Sequence, residues 1–238
     1  MAMVRKFERR GPLDEADREA LLALPHTIRR CSAGSNLVRD GDRPDHCCAL
    51  LSGFAYRHKI TGEGARQVIA LHMEGDFVDL QNSLLAVSDH NVQMLTDGDV
   101  AFVPRDAVRN LALARPNIGV ALWTDTLVDS SIFREWVVNV GRRDARARVA
   151  HILCEFSLRL EAAGLAENHR YELPMTQEQL ADAVGLTSVH VNRVLRQLEE
   201  DGLISRKKRA IVIEDWHRMR DVGDFNERYL HHDGVIAR

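Results

Sequence analysis

The chain has no apolar run near the roughly 18 residues that a membrane-spanning helix requires, and no apolar stretch follows Met1 to Lys6. Neither a span nor a signal peptide is expected, so the protein is read as cytoplasmic, with no membrane partner. Its four cysteines, Cys31, Cys47, Cys48 and Cys154, form no C-x-x-C pair and no regular spacing. That excludes a zinc ribbon and a disulfide framework and leaves buried free thiols as the expectation. The formal net charge is only −3, so charge alone does not argue for nucleic acid. One absence is local. From Gly75 to Val100 there is no Lys or Arg, while Asp76, Asp79, Asp89, Asp97 and Asp99 crowd the segment. A phosphate brought there would meet carboxylates without a cation.

What is present begins with length: 238 residues, 45% apolar and 28% charged, suffice for two domains with their own cores. The most informative stretch runs from Met175 to Ile204. Thr176 can cap a first helix, with Glu178 as an acid in its first turn. Leu180 and Val184 share one face of that helix, and Ala181 is small where a second helix must approach. Gly185 can take the positive φ that ends the first helix. Thr187 then caps a second helix in which Val191, Val194, Leu195 and Leu198 repeat at three and four residues. Ser188, Val189, His190, Asn192, Arg193 and Arg196 are left for the outward and flanking faces. This is the punctuation of a helix-turn-helix whose second helix enters the major groove of double-stranded DNA.

Beyond Asp201-Gly202, two short alternating runs flank Arg206, Lys207, Lys208 and Arg209 and read as a wing. A basic hairpin tip suits phosphate contact, which supplies affinity without sequence information. Between Arg142 and Ile213 there are 12 basic and 10 acidic side chains, so this part is net positive and the remainder carries the negative balance.

Upstream, a helix is expected from Leu13 to Leu24, after Gly11-Pro12. From about Leu37 to Val103 turn residues recur every 8–12 positions or so, separating Cys47–Leu51, Phe54–Ile60, Gln67–His72 and Val100–Val103, the pattern of a β-roll, sandwich or barrel. After Pro116 a long helix, Asn117 to Val140, carries two apolar rows: Val120, Trp123 and Leu127, and Ala121, Val128, Ile132 and Trp136. Two rows need two partners. One is expected to meet the roll and the other, taken as Ala121, Val128, Ile132 and Trp136, the same helix of a second subunit. Gly141 to Asp144 reads as a hinge before a helix from Ala145 to Ala163.

The fold class is therefore α+β, ordered as N-terminal helix, β-roll, long helix, hinge and winged helix-turn-helix. With Gly75-Asp76-Phe77 in the roll, Arg142-Arg143-Asp144-Ala145 at the hinge and Thr176–Ile204, the chain resembles the Crp/Fnr superfamily of bacterial transcription regulators over nearly its whole length. The resemblance implies a cyclic-nucleotide-binding-like sensor domain over 1–116, a dimerisation helix over 117–141, and a DNA-binding domain with a C-terminal tail over 142–238. It further implies a homodimer that reads a palindromic operator and, for an activator, contact with RNA polymerase. Arg193 matches the family arginine that contacts a guanine. Val189 stands where a glutamate is usual, which points to a different base step, such as a thymine methyl group. DNA contacts are accordingly expected from Thr187, Ser188, Val189, His190, Asn192, Arg193, Arg196, Arg206, Lys207, Lys208 and Arg209.

The input departs from the family pattern as well. Nucleotide-binding members follow the Gly-Asp-Phe turn with Gly-Glu and an Arg-Ser or Arg-Thr; here Val78-Asp79-Leu80-Gln81 follows, and cyclic AMP is not expected by the usual contacts. No cysteine cluster precedes Cys31, against an iron–sulphur centre. His58, His72 and His90 are nominal haem ligands without a supporting pattern, and Cys154 is a nominal redox sensor. No cofactor is expected. The alternative from another class is a cupin-like metal-dependent enzyme with an appended DNA-binding domain, using His72 and Glu74 as ligands on one strand face.

Overall fold

The structure, a computed structural model, describes residues 2–232 and divides into two compact units, one covering 2–130 with 231–232 and the other Ser131–Leu230. In the first, helices α1 (Ala2–Glu8) and α2 (Glu15–Leu22) precede strands β1 (Thr27–Cys31), β2 (Asn36–Val38), β3 (His46–Leu50), β4 (Ala55–Ile60), β5 (Arg66–His72), β6 (Asn91–Met94) and β7 (Gly98–Pro104). Helix α3 (Arg105–Ala114) follows, and then the long helix α4 (Pro116–Arg142), whose second half belongs to the other unit. The strands form two antiparallel sheets, β1-β7-β3 and β2-β6-β4-β5.

Alternation along β3 and β7 explains how the layers stack. Cys48, Leu50 and Val100 join Val38, Ala55, Val92 and Met94 in a core shared by the two sheets. Cys47, Ala49, Ala101 and Val103 point the other way, into a second core with Met3 and Phe7 of α1, Leu21 of α2, Val108 of α3 and Ile118 of α4. Strands covered on both faces lose the polar alternation of a half-exposed sheet. The turn Gly75-Asp76-Phe77 adjoins the second core. Gly75 has φ +93°, and a Cβ there would lie 3.1 Å from the backbone of Ala2, so glycine lets α1 start directly on this turn.

The second unit continues α4 into α5 (Ala145–Ala163), β8 (Arg170–Glu172), α6 (Gln177–Val184), α7 (Ser188–Glu200), β9 (Ile204–Lys207), β10 (Ala210–Ile213) and α8 (Trp216–Val222). Strands pair in the order β8-β10-β9. Among the described residues no helix is long and apolar enough to cross a membrane.

The sequence expectation for α5 matches the observed bounds, and the expected strands fall on β3, β4, β5 and β7. Helices α1, α3 and α8 and strands β1, β2, β6 and β8 were not anticipated. Two expectations need correction. Gly141 lies inside α4, and only Arg143 and Asp144 interrupt the helix before α5. Ala121, Val128, Ile132 and Trp136, expected to meet a second subunit, are all at most 7% exposed within a single chain. The uncovered row is the other one: Val120, Trp123, Leu127 and Val137 are exposed, Trp123 and Val137 at 68%. Period alone could not assign the rows, because both are apolar. Of the expected C-terminal tail, the part beyond His232 lies outside the described residues.

Candidate nucleic-acid interface and sensor roll

Helix α6 begins at a capping box, in which Thr176 and Gln179 satisfy each other's backbone N–H groups, and ends at Gly185 with φ +65°. Helix α7 begins at Thr187, whose hydroxyl accepts from the His190 N–H at 3.2 Å. Val191, Val194, Leu195 and Leu198 are buried, which turns the opposite face outward. Thr187, Ser188, Val189, Arg193 and Arg196 are exposed, Val189 at 80%. His190 and Asn192 are half-buried, and Asn192 accepts from the Gln177 amide at 3.5 Å. An open cleft beside α7 is lined by His190, Arg193 and Gln197 together with Asp144, Ala145 and Arg146 at the start of α5. A helix N-terminus and an arginine on one cleft suit an anionic backbone.

The basic tip separates into two roles. Arg206 is drawn back onto α7 in an ion pair with Glu199, while Lys207, Lys208 and Arg209 are exposed at the hairpin end. Lys208 adopts φ +57°, a conformation glycine or asparagine takes more readily.

A buried polar network holds the frame of this unit, and the sequence patterns gave no sign of it. The Trp136 indole donates to Glu155 at 3.0 Å, and the Tyr229 hydroxyl donates to the same carboxylate at 2.8 Å. His151 lies 3.0 Å from that hydroxyl and 3.1 Å from the Gly223 carbonyl. Arg143, between α4 and α5, is paired to Glu135 at 2.6 Å and to Asp224 at 3.1 Å. The expected hinge is thus gripped on both sides. Cys154 is fully buried on α5, and burial pushes its thiol well above the usual range, the opposite of what a sensing thiolate needs.

In the roll, Asp79 is fully buried. It accepts from the Cys48 N–H at 2.7 Å and the Asn82 amide at 2.8 Å. Burial pushes its pKa up to about 6, only partly offset by the Cys48 N–H, Arg57, His46 and Asn82. A raised carboxyl pKa stabilises the fold below about pH 4. That contribution is lost as pH climbs to about 6, on the order of 3 kcal/mol in all. Asp79→Asn should remove this slope, because Asn82 has a buried Oδ1 without a partner that a rotated amide can offer to the new side chain. Urea titrations of both proteins from pH 4 to 7 check it.

Arg57 shows what a segment-by-segment reading misses. No cation lies between Gly75 and Val100, yet β4 delivers this buried guanidinium to the Val78 carbonyl, amid Asp129, Asp79, Asp89 and Asp76. His90 sits between Asp89, at 2.7 Å, and Gln81, at 3.0 Å. His72 lies 3.6 Å from Asp76, and His58 packs 5.1 Å from the Tyr56 ring. Burial lowers the pKa of His72 and His90. Among the described residues no three His, Cys, Asp or Glu side chains gather as a metal site would require. The pairing of His72 with Glu74 on one strand face does not arise, because β5 ends at His72 and Glu74 lies in the turn beyond it.

Asp76 and its neighbours form a second buried charge cluster. Lys6 of α1 reaches Asp76 at 2.9 Å and Asp125 of α4 at 2.8 Å, and Arg10 adds a contact to Asp125 at 3.3 Å. Burial alone would pull the Lys6 pKa down, but Asp125, Asp76 and Asp129 push it above the usual lysine range.

Comparison with known proteins fits these two units in turn. Residues 28–115 match the cyclic nucleotide-binding domain, and residues 147–222 match the Crp-like helix-turn-helix domain. The transcriptional activator protein FnrL of Cereibacter sphaeroides is 29% identical over 215 residues, 87% of this chain and 86% of that protein. The nitrogen fixation regulation protein FixK of Azorhizobium caulinodans is 25% identical, covering 84% of this chain and 79% of the relative. The solved structure of FixK2 from Bradyrhizobium japonicum superposes with a TM-score of 0.77 at 24% identity, over 84% of this chain and 98% of that one. With a two-sheet roll in one unit and a capped, outward-facing recognition helix in the other, and these two domains matched in this order along the sequence, the chain belongs to the Crp/Fnr superfamily and is a DNA-binding transcription regulator.

Proposed function

We propose that two copies pair along α4 and present their α7 helices to the half-sites of a palindromic operator. The exposed row supports the pairing: Val120, Trp123 and Leu127, then Ser130, Arg134 and Val137, recur at alternating three- and four-residue steps, the seam of a parallel coiled coil. Half-sites one helical turn apart, about 34 Å, would then meet one α7 each. Arg193 reads a guanine through its O6 and N7, and Val189 offers a methyl-sized contact to a thymine where a carboxylate would accept from cytosine. Lys207, Lys208 and Arg209 hold phosphates. The observation that carries this reading is the face of α7, where Arg193 and Arg196 are exposed and Arg193 lines the cleft shared with the start of α5.

The protein acts in the cytoplasm. The relatives named as transcriptional activators favour activation, with RNA polymerase as the second partner. The roll takes no cyclic nucleotide through a cation–phosphate pair, since its buried guanidinium is already committed to Val78 and the surrounding carboxylates. Neither haem nor an iron–sulphur cluster is part of the working protein.

Arg193→Ala tests the docking. Losing one bidentate contact per half-site should weaken operator binding by about 1–3 kcal/mol per contact and relax preference at a single base position. A genome-wide binding map of wild type against variant, with anisotropy titrations on the recovered operator, measures both. Unchanged site choice and affinity would show that α7 docks otherwise.

A further inference from the structure

We infer that the first unit carries a binding site for a small neutral phenol beneath its N-terminal helices, outside the core shared by the two sheets. A cavity of about 140 Å³ lies among Met3 of α1, Leu21 of α2, Leu24, Ala49 of β3, Phe77, and Ala101 and Val103 of β7, all buried. The remaining lining residues, Leu22 and His26, are exposed, so the mouth lies between them. Protein interiors rarely leave such space unfilled, because an unfilled apolar void costs stability. An apolar cavity of about 150 Å³ stays dry and admits benzene.

The single polar group at the mouth narrows the ligand class. The His26 Nδ1 lies 2.8 Å from the Leu24 carbonyl and can only donate to it. In neutral imidazole that leaves Nε2 as an acceptor. A ring that fills the cavity and carries one hydroxyl donor satisfies both features. A carboxylate or a phosphate does not, because the wall offers it no cation.

The walls also give the site a route to the long helix. Met3 lines the cavity, and Lys6, one turn along α1, grips Asp76 of the roll and Asp125 of α4. The opposite wall is fixed, since Asp17 of α2 is held by Arg115 at 3.3 Å and Asn117 at 3.1 Å. An occupant therefore bears on α1, the element that carries the ion pairs to α4. Its effect on DNA binding rests on the regulator reading above.

The test uses the full chain with ¹³C-methyl-methionine labelling, titrated with phenol and with toluene. The Met3 methyl signal, assigned through Met3→Leu, should shift saturably with both. His26→Leu, at the surface, should weaken phenol binding about 2–10-fold, the worth of one modest hydrogen bond, and leave toluene unaffected. Ala49→Val, which intrudes on the cavity, should weaken both by at least about tenfold. No saturable shift, or a phenol affinity that His26→Leu leaves unchanged, would overturn the site; should Ala49→Val fail to fold, His26→Leu still decides. Operator affinity followed through the phenol titration should change in step with occupancy. Occupancy without that change would overturn the coupling. Failure to bind any operator without phenol and with it would count against the regulator reading instead.

Discussion

Leu127→Asp should leave each subunit folded and weaken operator binding by about 10²–10⁴-fold. The side chain is 53% exposed, so the charge costs the single chain little. Across a coiled-coil seam it would bring two carboxylates together in an apolar interface, and the dimer would dissociate. Each α7 would then bind its half-site alone, losing the effective concentration that the second contact supplies. Sedimentation equilibrium and anisotropy on the same samples measure both. Val128→Asp is the informative contrast. One residue along the helix but 3% exposed, it should lower thermal stability before it changes oligomeric state. A folded monomer from Val128→Asp and an intact dimer from Leu127→Asp would reverse the assignment of the two rows.

The second large effect is expected at Lys6. Lys6→Met removes the ammonium that Asp76 and Asp125 share and leaves two buried carboxylates short of a partner. Breaking a buried ion pair in this way costs about 3–5 kcal/mol. Arg10 retains its contact to Asp125 and His72 stays near Asp76, which places the expectation at the lower end of that range. In wild type the raised Lys6 pKa gives the linkage its sign: the stabilisation is complete below about pH 10.4 and fades as pH rises further. Urea unfolding of wild type, Lys6→Met, Asp125→Leu and the double variant measures the effect. The double variant should lose less than the sum of the two single variants, because neither Lys6 nor Asp125 is then left without the other, although Asp76 and Arg10 each still lose a partner. Additive losses would mean that the 2.8 Å contact carries no coupling.

The contrast between these two sites explains which parts of the chain were legible. Residues 176–200 could be read almost position by position because caps, glycine and apolar spacing are local signals, and local geometry decides them. The order of the larger parts was also visible, since turn residues and period change along the chain. The two rows of α4 were seen, but which one stays uncovered depends on what packs against the helix, and no periodicity records that. The charged clusters were invisible for a similar reason. Lys6 and Asp125 are 119 positions apart, and Arg57 reaches an acidic segment from another strand. Strands β1, β2 and β6 were missed because they are short or, like β1, exposed along nearly their whole length.

The closure of the second unit by Gly223, Asp224 and Tyr229 has a consequence in time. During synthesis α7 emerges from the ribosome before the residues that lock Arg143, His151 and Glu155 in place. A nascent chain that has just finished its recognition helix therefore still lacks the contacts that Gly223, Asp224 and Tyr229 make to Arg143 and α5. That part of the frame closes only when the segment past β10 has folded back onto α5.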